Sequence, residues 1–286
     1  MKHTTRFLAG VLALGLLSAC GGGAVSDLGA ASLALAQDEI GVMAVTTTAG
    51  DESPVAEISL ADGSISSDTS SVGISGSDVT ITSGGSYRLS GTLTDGVIVV
   101  EAGDTETVRL LFDGVDVTNL REPALEIAGA KSVVIELVSG ASNHLVDRAG
   151  SSAKAVISSA ADLKIIGDGD LTIRANSGDG ISVEAGLAIT GGTIDVMAHG
   201  DGITAVDYIV LGAPHLTINS DGAGMMSTMT GDPDLGYISI AGGSYTIDAS
   251  GDAIIAGSDL YIYAGEFEVT TGGASVTAGR TRAALP

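Results

Sequence analysis

A short phrase that recurs late in the chain limits its fold more than any other feature: Gly-Asp-Gly-Ile, an apolar strand, then Gly-Gly-Thr-Ile. It reads Gly178-Asp179-Gly180-Ile181, Gly191-Gly192-Thr193-Ile194 and Gly200-Asp201-Gly202-Ile203. Looser copies follow at Asp221-Gly222-Ala223, at Gly242-Gly243-Ser244-Tyr245-Thr246-Ile247 and at Gly251-Asp252-Ala253-Ile254. A period near twenty residues built of strand-like units is the mark of a solenoid, in which equivalent residues of successive coils stack in columns. Repeated aspartates would then form a row of carboxylates.

The rest of the chain fits a thin coil of strands. From about Val55 onward, short apolar or alternating runs are bounded by Gly, Asp, Asn or Ser. Examples are Val79-Thr80-Ile81-Thr82, Val133-Val134-Ile135, Leu163-Lys164-Ile165-Ile166 and Tyr237-Ile238-Ser239-Ile240. Helical periodicity does not appear after residue 50. The 42 glycines suit many tight corners, and the absence of tryptophan suits a narrow interior. A β-sandwich would also give short strands, but it would not repeat the Asp-Gly-Ile phrase. The expected fold is all-β, a right-handed parallel β-helix.

Boundaries follow from composition. Lys2 and Arg6 precede an apolar run, Phe7 to Leu17, too short to cross a bilayer. Leu17-Ser18-Ala19-Cys20 resembles the lipobox of bacterial lipoproteins, which implies a signal peptide over 1–19 and lipidation at Cys20. Gly21 after the cysteine, in a Gram-negative host, implies the outer membrane; the expected location is extracytoplasmic, anchored at the cell surface. Residues 20–54, rich in Gly, Ala, Ser and Thr, read as a flexible tether. The coil is expected over 55–278, with a disordered tail over 279–286.

Charge excludes some partners and suggests others. The formal net charge is −23, and without Lys2 and Arg6 it is −25, which argues against binding nucleic acid through its backbone. Cys20 is the single cysteine, so no disulfide supports the coil. Between Arg174 and Arg280 there is no lysine or arginine, yet acidic residues are frequent. Two carboxylates on coils about 4.8 Å apart would repel by roughly 3 kcal/mol at an effective dielectric near 20. Asp179, Asp201, Asp221 and Asp252 are therefore candidate ligands for a divalent cation such as calcium. Asp-Gly also favours turns without any metal, and that alternative stays open.

For sugar binding the candidates are tyrosines, because polysaccharides are held by ring stacking and hydrogen bonds. Tyr261 and Tyr263 stand at i and i+2, on one strand face. Tyr208, Tyr237 and Tyr245 lie on nearby coils, where each could instead fill the interior. The segment Met225 to Gly236, with Asp232-Pro233-Asp234, breaks the repeat and reads as a protruding loop.

In its order of motifs, the stretch from about 78 to 273 resembles the bacterial carbohydrate-binding domain-containing protein family. The matching pieces are Thr80-Ile81-Thr82-Ser83-Gly84-Gly85-Ser86-Tyr87-Arg88-Leu89, Leu110-Leu111-Phe112-Asp113-Gly114-Val115-Asp116-Val117 and Asp162 to Ile173, followed by the Gly-Asp-Gly-Ile repeats. The resemblance implies a polysaccharide-lyase-like parallel β-helix that binds calcium and holds cellulose- or pectin-type polymers. The chain departs from the family pattern at Asn219-Ser220-Asp221-Gly222-Ala223, at Ala213-Pro214-His215 and at Asp252-Ala253-Ile254.

Two other classes compete with a non-catalytic binder. A β-helix lyase needs a basic residue beside its calcium, and the basic-free stretch leaves only Lys164 and Arg174 nearby. A hydrolase needs clustered carboxylates, with His199 near Asp201 as the nearest approach. The third class is a structural surface spacer or adhesin. The sequence does not fix the polymer or the oligomeric state.

Overall fold

The structure is a computed structural model that describes residues 3–9, 55–232, 234–273 and 276–283. Among these residues it contains strands and turns and no helix. The strands stack into three parallel ladders that run the length of the molecule. The first ladder holds Asp78–Ile81, Ile98–Glu101, Leu125–Gly129, Ala155–Ser159, Asp179–Val183, Ile203–Ala205, Met225–Ser227 and the start of Ile254–Ile262. The second begins at Val55–Ala61 and passes through Ser132–Leu137, Asp162–Gly167, Gly186–Ile189, Tyr208–Leu211 and Tyr237–Ile240 to the end of Ile254–Ile262. The third includes Ser142–Asp147, Asp170–Ala175, Thr193–Ala198, His215–Ser220, Ser244–Ala249 and Gly265–Thr271. Each coil visits the first, second and third ladders in turn, which is a parallel β-helix.

Alternation explains the core. In the ladder strands whose side chains are described, one set points into the coil, and there it meets the same set from neighbouring coils. Ile181, Ile203, Met225 and Ile254 form one such stack, and Leu163, Leu187, Ile209, Ile238 and Leu260 another, all fully buried. A third runs Leu171, Ile194, Leu216, Tyr245 and Phe267. Tyr245 and Phe267 stack with ring centroids 4.8 Å apart, so Tyr245 is a core residue, and its hydroxyl donates to the Gly242 carbonyl. Burying each such side chain is worth roughly 1.5–3 kcal/mol.

The Gly-Asp-Gly corner has a packing reason at both glycines. A Cβ on Gly200 or Gly222 would collide with the carboxylate of Asp179 or Asp201 from the preceding coil. A Cβ on Gly202 would enter the coil against Ile218 and lie 2.5 Å from the Gly224 carbonyl oxygen. Where the phrase becomes Asp252-Ala253-Ile254, the methyl of Ala253 is buried within the coil.

The inner corner after the third ladder is polar. Asn119 accepts the Arg121 and Glu122 N–H groups at 2.8 and 2.9 Å and donates to Gly96. Asp147, in register with Asn119, accepts the Asn176 N–H, and its Oδ2 is buried with no hydrogen-bond partner. Burial pushes the Asp147 carboxyl above its ordinary value.

Both ends of the stack are modified. At the first coil, Val72–Ser75 pairs antiparallel with Asp78–Ile81, and Ser66–Ser67 antiparallel with Val55–Ala61. At the last coil, His3–Ala9 pairs antiparallel with Gly265–Thr271. An exposed parallel edge is a template for unwanted pairing, and antiparallel strands close it. The expected signal peptide, 1–19, includes the strand His3–Ala9. The coil extends past the expected end at 278, because the strand Val276–Ala283 continues the first two ladders by pairing with Ile254–Ile262, whose backbone would otherwise form a bare edge. The expected tether, 20–54, and Cys20 lie outside the described residues. No helix among the described residues is long and apolar enough to cross a membrane.

Candidate functional site

The tyrosines expected to bind sugar converge on one face. Residues of the second ladder that alternate with its core positions point outward. Register places Tyr237 directly beyond Tyr208, and Tyr261 beyond Ser239. The rings of Tyr208 and Tyr237 stack, with centroids 5.5 Å apart and planes 17° from parallel. Tyr237 meets Tyr261 edge-on at 6.5 Å, and Tyr261 stacks with Tyr263 at 6.5 Å and 10°. All four rings are half-buried. The i, i+2 argument for Tyr261 and Tyr263 therefore holds, and stacking of coils supplies the other two.

The face has a floor and a charged margin. Ala188, Val210 and Ser239 succeed one another in register at the centre of the ladder, and each is at most 1 % exposed although it points away from the core. Gly186 precedes Ala188, and a Cβ there would collide with the Tyr208 ring, so the ring lies against bare backbone. The Gly186 N–H donates to Asp162 at 2.9 Å. Burial, with Asp162, Tyr237 and Asp207 nearby, raises the Tyr208 hydroxyl above its ordinary value. Burial raises Asp207 as well, with Asp162 and Asp232 adding repulsion. The Tyr261 hydroxyl donates to Asp259 Oδ2 at 3.2 Å. At the far side stands Lys164, in register with Ala188, with its ammonium lowered by burial.

Sequence reasoning missed Asp162, Gly186, Ser239 and Asp259 as members of this face. Part of the signal was available: carrying the 22-residue spacing back from Tyr208 arrives at Gly186. The segment read as a loop from Met225 starts later, because Met225–Ser227 is a strand with buried Met225 and Ser227, and the insertion follows Ser227.

The aspartates separate into two columns. Asp179 and Asp201 are in register 22 residues apart, and Asp201 Oδ1 accepts the Ala223 N–H, also 22 residues on. The next members are Ala223 and then Asp252. Asp221 lies outside this column: it stands beyond His199, whose Nδ1 is 2.8 Å from Asp221 Oδ2, both side chains being well exposed. The looser copy was aligned on the Asp-Gly pair, whereas the strands align Ile203 with Met225 and so place Ala223 at the repeat position. His199 is accordingly paired with Asp221 at the surface.

Within the column each carboxylate serves the next corner. Asp179 Oδ1 accepts the Asp201 N–H at 2.8 Å, and Asp201 Oδ1 accepts the Ala223 N–H at 2.6 Å. Burial, then Asp201, raises the Asp179 carboxyl. Calcium takes roughly six to eight oxygens. Among the described residues no group of three or more His, Cys, Asp or Glu side chains is gathered for a metal. The donors at this corner are two carboxylates with one oxygen each already engaged, which fits a shared, water-rich site and does not fit a closed protein cage.

Basic residues of the first coils are paired. Arg88 bonds Asp113 at 2.8 Å and approaches Glu57 at 3.6 Å, and Arg109 pairs with Glu136.

Comparison with known proteins agrees with the fold. Residues 75–284 match the family model described as carbohydrate-binding domain-containing protein. A relative of that description from Acetivibrio thermocellus is 32% identical over 211 residues, which is 71% of this chain and 74% of the relative. A solved structure, the gadolinium derivative of a polysaccharide lyase-like protein from C. thermocellum, superposes with a TM-score of 0.77 at 32% identity. It covers 80% of this chain and 97% of its own.

Proposed function

The chain belongs to the carbohydrate-binding domain-containing protein family, and from that premise we propose that it binds polysaccharide without cleaving it, on the outward tyrosine face of the second ladder. The observation that carries this reading is the convergence of Tyr208, Tyr237, Tyr261 and Tyr263 on one face of a rigid coil. Aromatic faces stack on the apolar faces of sugar rings, and their hydroxyls hydrogen-bond the rims. The ligand is a cellulose- or pectin-type polymer. The protein acts at the cell surface, outside the cytoplasm, held to the membrane by a lipid on Cys20; cleavage before Cys20 would remove the strand His3–Ala9 from the last coil.

Calcium belongs to this reading as an ion that Asp179 and Asp201 would hold. When bound, it would neutralise the two adjacent carboxylates. Asp252 stands two coils further on, beyond Ala223, and would contribute separately.

The runner-up is a lyase, and Lys164 is the residue that favours it. It shares the outward face with the tyrosines, and burial lowers its ammonium toward the neutral form that a proton acceptor needs. One experiment addresses both readings. The full chain is incubated with cellulose and, separately, with polygalacturonate, and both retention and soluble products are measured. The binder reading expects retention that falls about tenfold in Tyr237→Ala, and no unsaturated uronate ends. Unchanged retention in Tyr237→Ala would remove the tyrosine face from the function. Unsaturated ends that vanish in Lys164→Ala would replace the binder with the lyase.

A further inference from the structure

Two hydrogen-bonding atoms on the tyrosine face are buried and unpartnered. Ser239 is 1 % exposed, and its Oγ has no hydrogen-bond partner. Asp259 Oδ1 is likewise buried without a partner, while Oδ2 accepts from Tyr261. They are close neighbours across the ladder. Ile238 is in register with Leu260 and Ser239 with Tyr261, so Asp259 stands beyond Tyr237, diagonal to Ser239. Along a parallel pair, that diagonal separates backbone positions by about 8 Å.

An outward strand position buried among β-branched and aromatic neighbours ordinarily holds an apolar side chain, and in this column Ala188 and Val210 do so. Ser239 breaks the pattern. A buried hydroxyl without a partner is destabilising, and native proteins keep few such groups unless something satisfies them. Asp259 poses the same question with a carboxylate acceptor. Tyr237 and Tyr261 lie on either side of both atoms.

We propose that Ser239 and Asp259 form a polar subsite in the floor of the tyrosine face that recognises the hydroxyl groups of an uncharged sugar ring. The inference rests on the proposed binding function and adds the residues that set its specificity. A sugar hydroxyl both donates and accepts. It can donate to Asp259 Oδ1 while a neighbouring hydroxyl exchanges a hydrogen bond with Ser239 Oγ. Asp259 Oδ1 offers an acceptor to a sugar hydroxyl and repels a sugar carboxylate placed on it; the backbone register sets Arg280 and Arg282 of the last strand beside Asp259 and Tyr261, so the selection concerns this one contact and not the charge of the whole polymer. With Ser239 1 % exposed, binding would require a neighbouring side chain to change rotamer, a common adjustment on binding. A site built to hydrogen-bond a hydroxyl also rejects analogues that lack it, because its own groups are then left unmade.

The test uses the full chain and a soluble cello-oligosaccharide as probe, with affinity from calorimetry and thermal unfolding in parallel. Ser239→Ala is expected to weaken binding about tenfold while leaving the melting temperature at or above that of the wild type, since it removes an unsatisfied buried group. Asp259→Asn, which keeps the shape, is expected to weaken binding several-fold. If both variants bind as tightly as the wild type while Tyr237→Ala loses binding, the polar subsite is overturned and the tyrosine face stands. If all three bind unchanged, both readings fall. Weaker binding of Ser239→Ala accompanied by a matching drop in melting temperature would make the hydroxyl a structural group and overturn the subsite.

Discussion

Gly202→Ala is expected to destabilise the coil by about 2–4 kcal/mol, although it adds one methyl group and improves the chain's stiffness. Gly202 is the second glycine of the repeated corner. The new Cβ would lie 2.5 Å from the carbonyl oxygen of Gly224, where ordinary contact begins near 3.4 Å, and would also collide with Ile218 Cγ2. Backbone cannot swing away as a side chain can. Overpacking of this kind costs roughly 1–3 kcal/mol. The displaced Gly224 carbonyl also accepts the Ile203 N–H at 3.1 Å, and a weakened main-chain bond adds about 0.5–1.5 kcal/mol. Gly103→Ala is the internal control, because a Cβ there meets only the Glu106 side chain at 3.8 and 3.9 Å. That substitution should be neutral or stabilise by up to about 1 kcal/mol through the unfolded chain. Urea unfolding followed by far-ultraviolet circular dichroism compares the two midpoints at equal slope. If Gly202→Ala unfolds within about 0.5 kcal/mol of Gly103→Ala, the steric account of the repeat is wrong.

Two further predictions concern carboxylates. Burial raises Asp147 in the folded state, so the fold binds a proton there more tightly than the unfolded chain does. The contribution of Asp147 to stability is therefore greatest below its ordinary value of 3.8 and declines as pH rises through the raised folded value. The stability of Asp147→Asn relative to wild type should accordingly rise between pH 4 and pH 7, and a difference that stays flat across that range would refute it. In the second, added calcium should raise the melting temperature of the wild type and chelator should lower it again, by mass action on the native state. Asp179→Asn and Asp201→Asn should lose most of that shift and Asp221→Asn should keep it; a shift equally sensitive to Asp221 would contradict the register of the columns.

The fold was legible because its cause is periodic. Alternating apolar residues, short runs and a phrase returning after 22 residues leave few architectures besides a coil. Asp179 and Asp201 could be paired from sequence for the same reason, since nothing interrupts the spacing between them. Asp221 could not, because the conspicuous Asp-Gly pair misled where the less conspicuous Ile203 and Met225 set the true register. Tyr261 and Tyr263 were readable from strand alternation alone. Their meeting with Tyr208 and Tyr237 depends on adding a longer coil, 29 residues between His215 and Ser244; the extra length was readable as the break from Met225 to Gly236, but the register that aligns Tyr237 with Tyr208 across it was not. Ser239 was hidden more completely. It looks like any polar residue of an alternating strand, and only the packing above it makes its hydroxyl conspicuous. The strand at 276–283 escaped because a terminal segment has a single neighbouring coil to hold it, and composition does not record that neighbour.

The longer coil has a consequence for how such a protein can diversify. Its added residues fall at the corner between Ser227 and Tyr237, beside the rings and outside the stacks of Ile, Leu and Val that hold the coils together. A coil that contacts only its two neighbours can lengthen one corner without disturbing the rest. Descendants of one ancestral rod could thus trade one corner for another and meet different polymers, with the rod beneath them left unaltered.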